Sequence, residues 1–399
     1  MDYITGPPAG ELESRIKKLQ SAMQKDAIGG ALVVQKTDLF YFSGTSQQGW
    51  LYIPAEGEAL LCVFKDFERA KTESALKNVI SLLRPKKIPH ALSDSGYTIP
   101  SKLGMELDVL PTNLFFQYAS IFDSSEIVDV STQIRIVRAV KSPYEMEKMQ
   151  KAAALSDVVA ARVPELLEVG KTEVALAGEL EAYARSLGHQ GIVRMRLFGS
   201  ELFYGHLMSG PAAAAPSYLA SPTGGEGVSA LVGQGAGFKT LQRNETILVD
   251  YVFALDGYIS DHARIFVMGE LPKELYRAHD DMLTIQENIK TIAIPGCACG
   301  ELYEHMVTMA DDMGYGDNFM GVGERRIRFT GHGVGLELDE YPFIAKGQTL
   351  PLEEGMVIAL EPKLIFPGKG VVGIENTHKV TPVGLEPLTR FQDTIYTLP

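Results

Sequence analysis

The sequence predicts an α/β domain followed by an α+β domain, on three observations. Its 399 residues exceed the roughly 250–300 at which one hydrophobic core stops growing, so two domains are expected. Short apolar strands alternate with helical stretches up to about residue 130, the pattern of an α/β domain. Beyond that point two long helical segments lead into a strand-rich stretch punctuated by glycine, the pattern of an α+β domain. The expected domains are 1–133 and 134–399.

In residues 11–26, ELESRIKKLQSAMQKD, Leu12, Ile16, Leu19 and Met23 recur at helical spacing and predict an amphipathic helix. Gly29-Gly30 closes that region. Residues 31–34 read as a short buried strand, and 50–53 with 59–63 as a strand pair about a turn at Glu56-Gly57. The junction lies in 132–152. There Ser142-Pro143 opens a helix, with proline at the first helical position and Glu145 in the first turn. That helix is expected to run to about 167 and to stop at Gly170. A second spans 172 to about 187, ahead of Gly188, and two more lie near 272–292 and 299–313. Residues 209–237 are rich in Gly, Ala, Ser and Pro. They form a loop of a length that in compact domains is usually functional or mobile.

Composition narrows the function classes. Acidic residues outnumber basic ones 50 to 37, the net charge is −13, and no basic stripe exists, which argues against a nucleic-acid partner. No run of ~18 apolar residues occurs, so no membrane span is expected. The first twelve residues have neither a basic start nor an apolar stretch, so no signal peptide is expected. Cys62, Cys297 and Cys299 cannot build a disulfide framework and fit a reducing cytoplasm. The Cys297-x-Cys299 pair reads as two small residues at a helix entry. The glycines of 233–237 lack the flanking strand and Lys-Ser/Thr helix of a phosphate loop.

The residues that carry chemistry lie in the second half. In ILVDYVFALDGYISDHARIF, residues 247–266, two β-rich runs flank Asp256-Gly257, a strong hairpin signal. With those two residues as the turn, Val252 faces Asp261. Strand alternation then puts Asp250 on the face of Val252, so Asp250 and Asp261 are diagonal neighbours on one face. Two inward carboxylates on apolar strands are unfavourable by several kcal/mol unless a cation or hydrogen bonds compensate. In MVIALEPKLIFPGKGVVGIENTHKV, residues 356–380, Glu361 and Glu375 are symmetric about Gly368 and would face each other in a hairpin centred there. Like charges directly opposite demand a shared cation or proton. Between these segments His332 sits in FTGHGVGLELDEYP, residues 329–342, among glycines that let the backbone approach a site closely. Each piece alone is weak, since paired acids are often a surface ladder and Gly-His-Gly a turn. Together, four carboxylates and one imidazole suit Mn, Co, Fe or Zn. Two such ions, bridged ~3.5–4 Å apart, would acidify a shared water.

These residues resemble the pita-bread metallohydrolase family, which includes Xaa-Pro aminopeptidase, prolidase, creatinase and methionine aminopeptidase. The family's ligand order Asp, Asp, His, Glu, Glu is matched by Asp250, Asp261, His332, Glu361 and Glu375. The front half, RIKKLQSAMQKDAIGGALVVQKTDLFYFSGT, resembles the creatinase/prolidase N-terminal domain, and IVRAVKSPYEMEKMQKAA resembles the helix that opens the catalytic domain. The resemblance covers nearly the whole chain and favours the Xaa-Pro/creatinase branch. It implies a creatinase-like α/β domain, a pita-bread α+β domain with a curved antiparallel sheet, two divalent ions, a homodimer, and hydrolysis of an N-terminal Xaa-Pro or similar amide bond.

Departures from the family pattern cluster around substrate handling. Where prolidase-type enzymes carry a histidine after Gly-Pro-Asn, GPAAAAPSY places Ser217. Where they carry a second histidine after the ligand His, this chain has Asp339. The basic residue that often precedes the second metal Glu is replaced by Gly373-Ile374. Glu361 is the first candidate for moving a proton, with Asp339 beside it, and His206 and Ser217 are the candidate substrate contacts. His262 and His378 read as facing away from the ligands, His378 in packing or toward a dimer partner. Arg264 reads as a structural ion pair, and Phe203, Tyr204 and Tyr258 as core aromatics. A small-molecule hydrolase or lyase, and a non-catalytic binding protein on the same fold, are the alternative classes.

Overall fold

The computed structural model describes residues 6–219 and 221–399, and contacts divide the chain into Met1–Arg138 and Ala139–Pro399. The division falls near the end of the helix Ser131–Ala139 rather than at 133/134.

The first unit is built on six strands, β1 (Gly30–Val33), β2 (Gly49–Pro54), β3 (Leu60–Val63), β4 (Asn78–Ser81), β5 (Lys102–Met105) and β6 (Glu126–Asp129), in the order β4-β3-β2-β1-β5-β6. Its helices are α1 (Ala9–Lys25), α2 (Lys36–Ser43), α3 (Phe67–Glu73), α4 (Ile88–Asp94), α5 (Thr112–Ile121) and α6 (Ser131–Ala139). Along α1, Leu12, Leu19 and Met23 are fully buried, as the helical spacing requires. The helix stops earlier than Gly29-Gly30, because Ala27 turns to φ 53° and Gly30 already belongs to β1. The expected strand pair is present, antiparallel, with Trp50 opposite Cys62. Just past the ends of β1 and β5, Glu106 is fully buried and accepts the backbone N–H groups of Val34 (3.0 Å) and Gln35 (3.1 Å). Burial, with Asp38 adding to it, pushes its carboxyl up to about 8.

In the second unit α7 (Pro143–Leu166) begins in a reciprocal capping box. Glu145 N donates to Ser142 Oγ at 3.2 Å, and Ser142 N donates to Glu145 Oε2 at 3.1 Å. Thr172 caps α8 (Glu173–Ser186). A short α9 (Gly210–Ala213) follows β7 (Gly205–Ser209), and α10 (Lys273–Ile292) and α11 (Cys299–Asp312) occupy the expected places. The remaining strands are β8 (Ile247–Leu255), β9 (Tyr258–Met268), β10 (Phe329–Gly333), β11 (Glu340–Ala345), β12 (Val357–Leu360), β13 (Lys363–Phe366), β14 (Gly370–Gly373), β15 (Asn376–Thr381), β16 (Gly384–Pro387) and β17 (Tyr396–Leu398). They form sheets ordered β17-β9-β8-β7 and β11-β10-β12-β15-β16, with β13-β14 as a separate hairpin. An isolated bridge from Ala263 to Glu375 ties the first of these sheets to the segment between β14 and β15. The helices pack on apolar faces, Leu275, Met282, Ile285 and Ile289 of α10 among them.

Two registers place the acidic residues. Asp256 (φ 52°) and Gly257 (φ 90°) form the two-residue turn of β8–β9, as a type I′ turn requires, and Val252 stands opposite Asp261. In the C-terminal region Lys363 pairs with Gly373 and Leu360 with Asn376, both symmetric about Gly368. Glu361 and Glu375 occupy the break between those two ladders.

Candidate metal centre

Asp261 leaves β9 into the unit's interior and is 3% exposed. Thr377 holds its backbone from both sides: Asp261 N donates to Thr377 Oγ1 at 2.9 Å, and that hydroxyl donates to Asp261 O at 2.7 Å. The Glu375 carbonyl accepts Ala263 N (3.2 Å) and Arg264 Nη1 (2.9 Å). Arg264 is itself fixed by Asp393 (3.0 Å), Asn376 (2.8 Å) and the Phe391 carbonyl (2.7 Å), the structural role its sequence position suggests. His332 reaches in from β10. Its Nε2 lies 3.7 Å from Asp261 Oδ2 and 3.8 Å from Glu375 Oε1, while Nδ1 faces the Gly333 carbonyl (3.2 Å) and Asp339 Oδ1 (3.7 Å).

One ligating atom from each of Asp261, His332 and Glu375 lies within 4.8 Å of the others. Separations of 3.7 and 3.8 Å are too long for hydrogen bonds. They approach the ~3.4 Å between ligands of a tetrahedral ion with bonds of ~2.1 Å. Asp261 Oδ1 is moreover buried without a hydrogen-bond partner among the described residues. A buried carboxylate oxygen so placed fits a cation, so these three residues fit one divalent ion.

Asp250 and Glu361 are engaged differently. The side chain of Lys363, 1% exposed, places its Nζ 2.9 Å from Asp250 Oδ2, 3.0 Å from Glu361 Oε2 and 2.6 Å from Glu375 Oε2. The cation that the opposed glutamates demand is thus, on this side of the cluster, an ammonium. Burial works against the charge on Lys363, but Asp250, Glu361 and Glu375 outweigh it and hold its pKa well above the ordinary value. Burial pushes Asp261 well up, with Glu375 and Asp250 adding to it. It also pushes Glu375 up to about 8, where Lys363 opposes the shift and Glu361 and Asp250 add to it. For His332 burial is again the largest influence, disfavouring the imidazolium, yet Asp339, Glu361 and Glu375 together raise its pKa.

Lys363 is the residue of this cluster that reading the sequence for acids and histidines misses. The signal was available. The symmetry about Gly368 that opposes Glu361 to Glu375 also opposes Lys363 to Gly373, and Lys363 follows Glu361 by two, on the same face.

A pocket opens over the centre, walled by Met195, Leu202, Val252, Phe329 and Leu338, with His206, Asp339, Glu361 and Lys363 contributing polar groups. His206 stands opposite Asp250 across β7–β8; its buried Nε2 has no hydrogen-bond partner among the described residues, and burial lowers its pKa. Asp339 adopts φ 59°. Ser217, in contrast, does not reach the pocket. Its Oγ accepts Leu219 N at 3.1 Å, and Leu219 and Ser221 form the wall instead. The unpatterned loop hides which of its side chains turns inward. His262 faces away, toward Ser156 (2.6 Å to Nδ1), and His378 is buried in packing. Tyr204 and Tyr258 are buried, but Phe203 is 62% exposed, with its ring edge-on to Tyr204.

Residues 147–382 match the metallopeptidase family M24, and residues 15–140 match the creatinase/prolidase N-terminal domain. The chain belongs to metallopeptidase family M24. Its two units accordingly carry the creatinase-like α/β fold and the pita-bread fold. Among curated proteins this M24 member is 29% identical to an Xaa-Pro dipeptidase of Pyrococcus furiosus, over 95% of this chain and 98% of that protein. It is 27% identical to an Xaa-Pro dipeptidase of Lactobacillus delbrueckii subsp. lactis, over 96% and 99%. The crystal structure of the prolidase from Pyrococcus horikoshii superposes with a TM-score of 0.79 at 26% identity, covering 95% of this chain and 99% of that one. Among the described residues no helix is long and apolar enough to cross a membrane.

Proposed function

We propose that this M24 metallopeptidase hydrolyses Xaa-Pro dipeptides with a divalent ion held by Asp261, His332 and Glu375. The observation that carries the reading is the convergence of those three buried ligating atoms under a pocket with apolar walls. The end-to-end similarity to proteins named Xaa-Pro dipeptidase supports the peptide substrate over a small-molecule one. The ligand types suit Mn, Co, Zn or Fe. An ion bound there supplies Lewis acidity.

The chain's own groups do the rest. The apolar walls at Met195, Leu202 and Leu338 fit a proline ring and exclude water from the scissile bond. Hydrolysis adds water across the C–N bond, and the departing proline nitrogen takes a proton. Glu361 and Asp339 line the same pocket and are the candidates to carry that proton. Glu361 is held in place through Oε2 by Lys363. Neutral His206 offers a free Nε2 to a substrate carboxylate or carbonyl.

The test is a panel of Xaa-Pro dipeptides and tripeptides assayed with Mn, Co, Zn or Fe. The expected result is hydrolysis of Xaa-Pro dipeptides that chelation stops and Asp261→Ala abolishes. Failure to cleave any Xaa-Pro peptide with any of the four metals, in folded protein, overturns the reading.

A further inference from the structure

We propose that the Lys363 ammonium takes the place of a second metal ion, so that the chain binds one divalent ion, at Asp261, His332 and Glu375, where the five-ligand set implies two. The inference rests on the reading of this cluster as a metal centre and deepens it.

Three observations carry it. First, an ammonium has three protons, and Nζ lies within hydrogen-bond distance of three carboxylates, at 2.6, 2.9 and 3.0 Å. Its donor capacity is filled by the groups a second ion would need. Second, a further divalent ion drawing on Asp250, Glu361 and Glu375 would stand beside the buried ammonium that those carboxylates already hold, and like charges so close repel strongly in a buried site. Third, the backbone opposite is shaped for the lysine. Gly373 faces Lys363 across β13–β14, and a Cβ there would stand 3.2 Å from Lys363 Cγ and 2.7 Å from its Cα. The ammonium's stem runs through space that a side chain at 373 would need. Among the described residues, the ligating atoms that close to within 4.8 Å belong to Asp261, His332 and Glu375, and Asp250 and Glu361 stand outside that group.

The test is metal content of the folded full-length chain after equilibrium dialysis against Mn²⁺ or Co²⁺, with electron paramagnetic resonance of the Mn²⁺ form. The expected result is one ion per chain with the signal of an isolated Mn²⁺, and still one in Lys363→Arg. In Lys363→Met and Lys363→Gly the content should rise to two, with the signal of a coupled pair. Two ions in the unsubstituted chain overturn the inference, and do so even if Lys363→Met fails to fold. One ion in a folded Lys363→Met overturns it as well. No ion in the unsubstituted chain removes the metal-centre reading itself, and two ions with Xaa-Pro hydrolysis leave that reading standing while the inference falls.

Discussion

Lys363 and Gly373 face each other on β13 and β14, and a Cβ on Gly373 would stand 2.4 Å from the Pro362 carbonyl oxygen and 2.7 Å from Lys363 Cα. Gly373 also adopts φ 139°, which a side-chain-bearing residue rarely takes. Gly373→Ala is therefore expected to destabilise the protein by ~1–3 kcal/mol and to displace Lys363. Urea unfolding of the two proteins checks this; equal midpoints would show that the hairpin adjusts freely.

Removing the ammonium should matter most without metal. Lys363→Met leaves the Asp250, Glu361 and Glu375 carboxylates without their buried partner. Loss of one member of a buried ion pair costs about 3–5 kcal/mol. In EDTA the variant is expected to unfold at a correspondingly lower urea concentration. Saturating Mn²⁺ should restore much of the difference, since a bound ion adds RT ln(1 + [L]/Kd) to the folded state. A deficit of equal size in EDTA and in Mn²⁺ would mean that lost packing, not lost charge, sets it.

Much of this site is legible in the chain, for physical reasons that differ by residue. The Asp256-Gly257 turn leaves one register for β8–β9, so the face shared by Asp250 and Asp261 follows from strand parity alone. The symmetry about Gly368 locates Glu361 against Glu375 in the same way. Lys363 lies in the same pattern but is a residue type that defaults to solvent, and only packing shows its ammonium buried among carboxylates. Ser217 fails for another reason. The path of the loop after β7 is set by buried Glu173, whose carboxylate accepts Ser209 N at 2.7 Å and Gly237 N at 3.0 Å. Such a contact between distant residues leaves no periodic trace in a run of Gly, Ala, Ser and Pro.

Asp339 offers a test of what tunes His332. Its Oδ1 lies 3.7 Å from His332 Nδ1, on the side of the ring away from Asp261 and Glu375. At that distance the carboxylate makes no hydrogen bond to the ring, whose Nδ1 faces the Gly333 carbonyl at 3.2 Å, but its charge raises the ring's basicity and so its hold on a metal. Asp339→Asn is the informative change, because asparagine tolerates the φ of 59° that alanine would strain. The expected result is metal affinity weaker by at most ~10-fold, the low end of what outer partners contribute, with kcat at saturating metal changed less. Unchanged affinity with a collapsed kcat would instead make Asp339 a participant in proton transfer.

Glu106 gives the first unit a pH dependence of definite sign. Its carboxyl is raised from the ordinary 4.5 to about 8 by burial and by Asp38. A group whose pKa is higher folded than unfolded contributes stability that is complete below the unfolded pKa and is lost as pH rises through the folded one. Between about 4.5 and 8 this one carboxyl should therefore lower stability by at most ~1.4 kcal/mol per pH unit. Trp50, the single tryptophan of the chain, is buried in the same unit with Nε1 2.7 Å from the Tyr118 hydroxyl, so its fluorescence follows the unfolding of that unit. Glu106→Gln keeps an oxygen to accept Val34 N and Gln35 N but carries no titratable proton. Urea unfolding followed at Trp50 is expected to show the wild-type protein losing stability from pH 5 to 8 relative to Glu106→Gln. Parallel pH profiles for the two proteins would show that Glu106 titrates alike in the folded and unfolded chains.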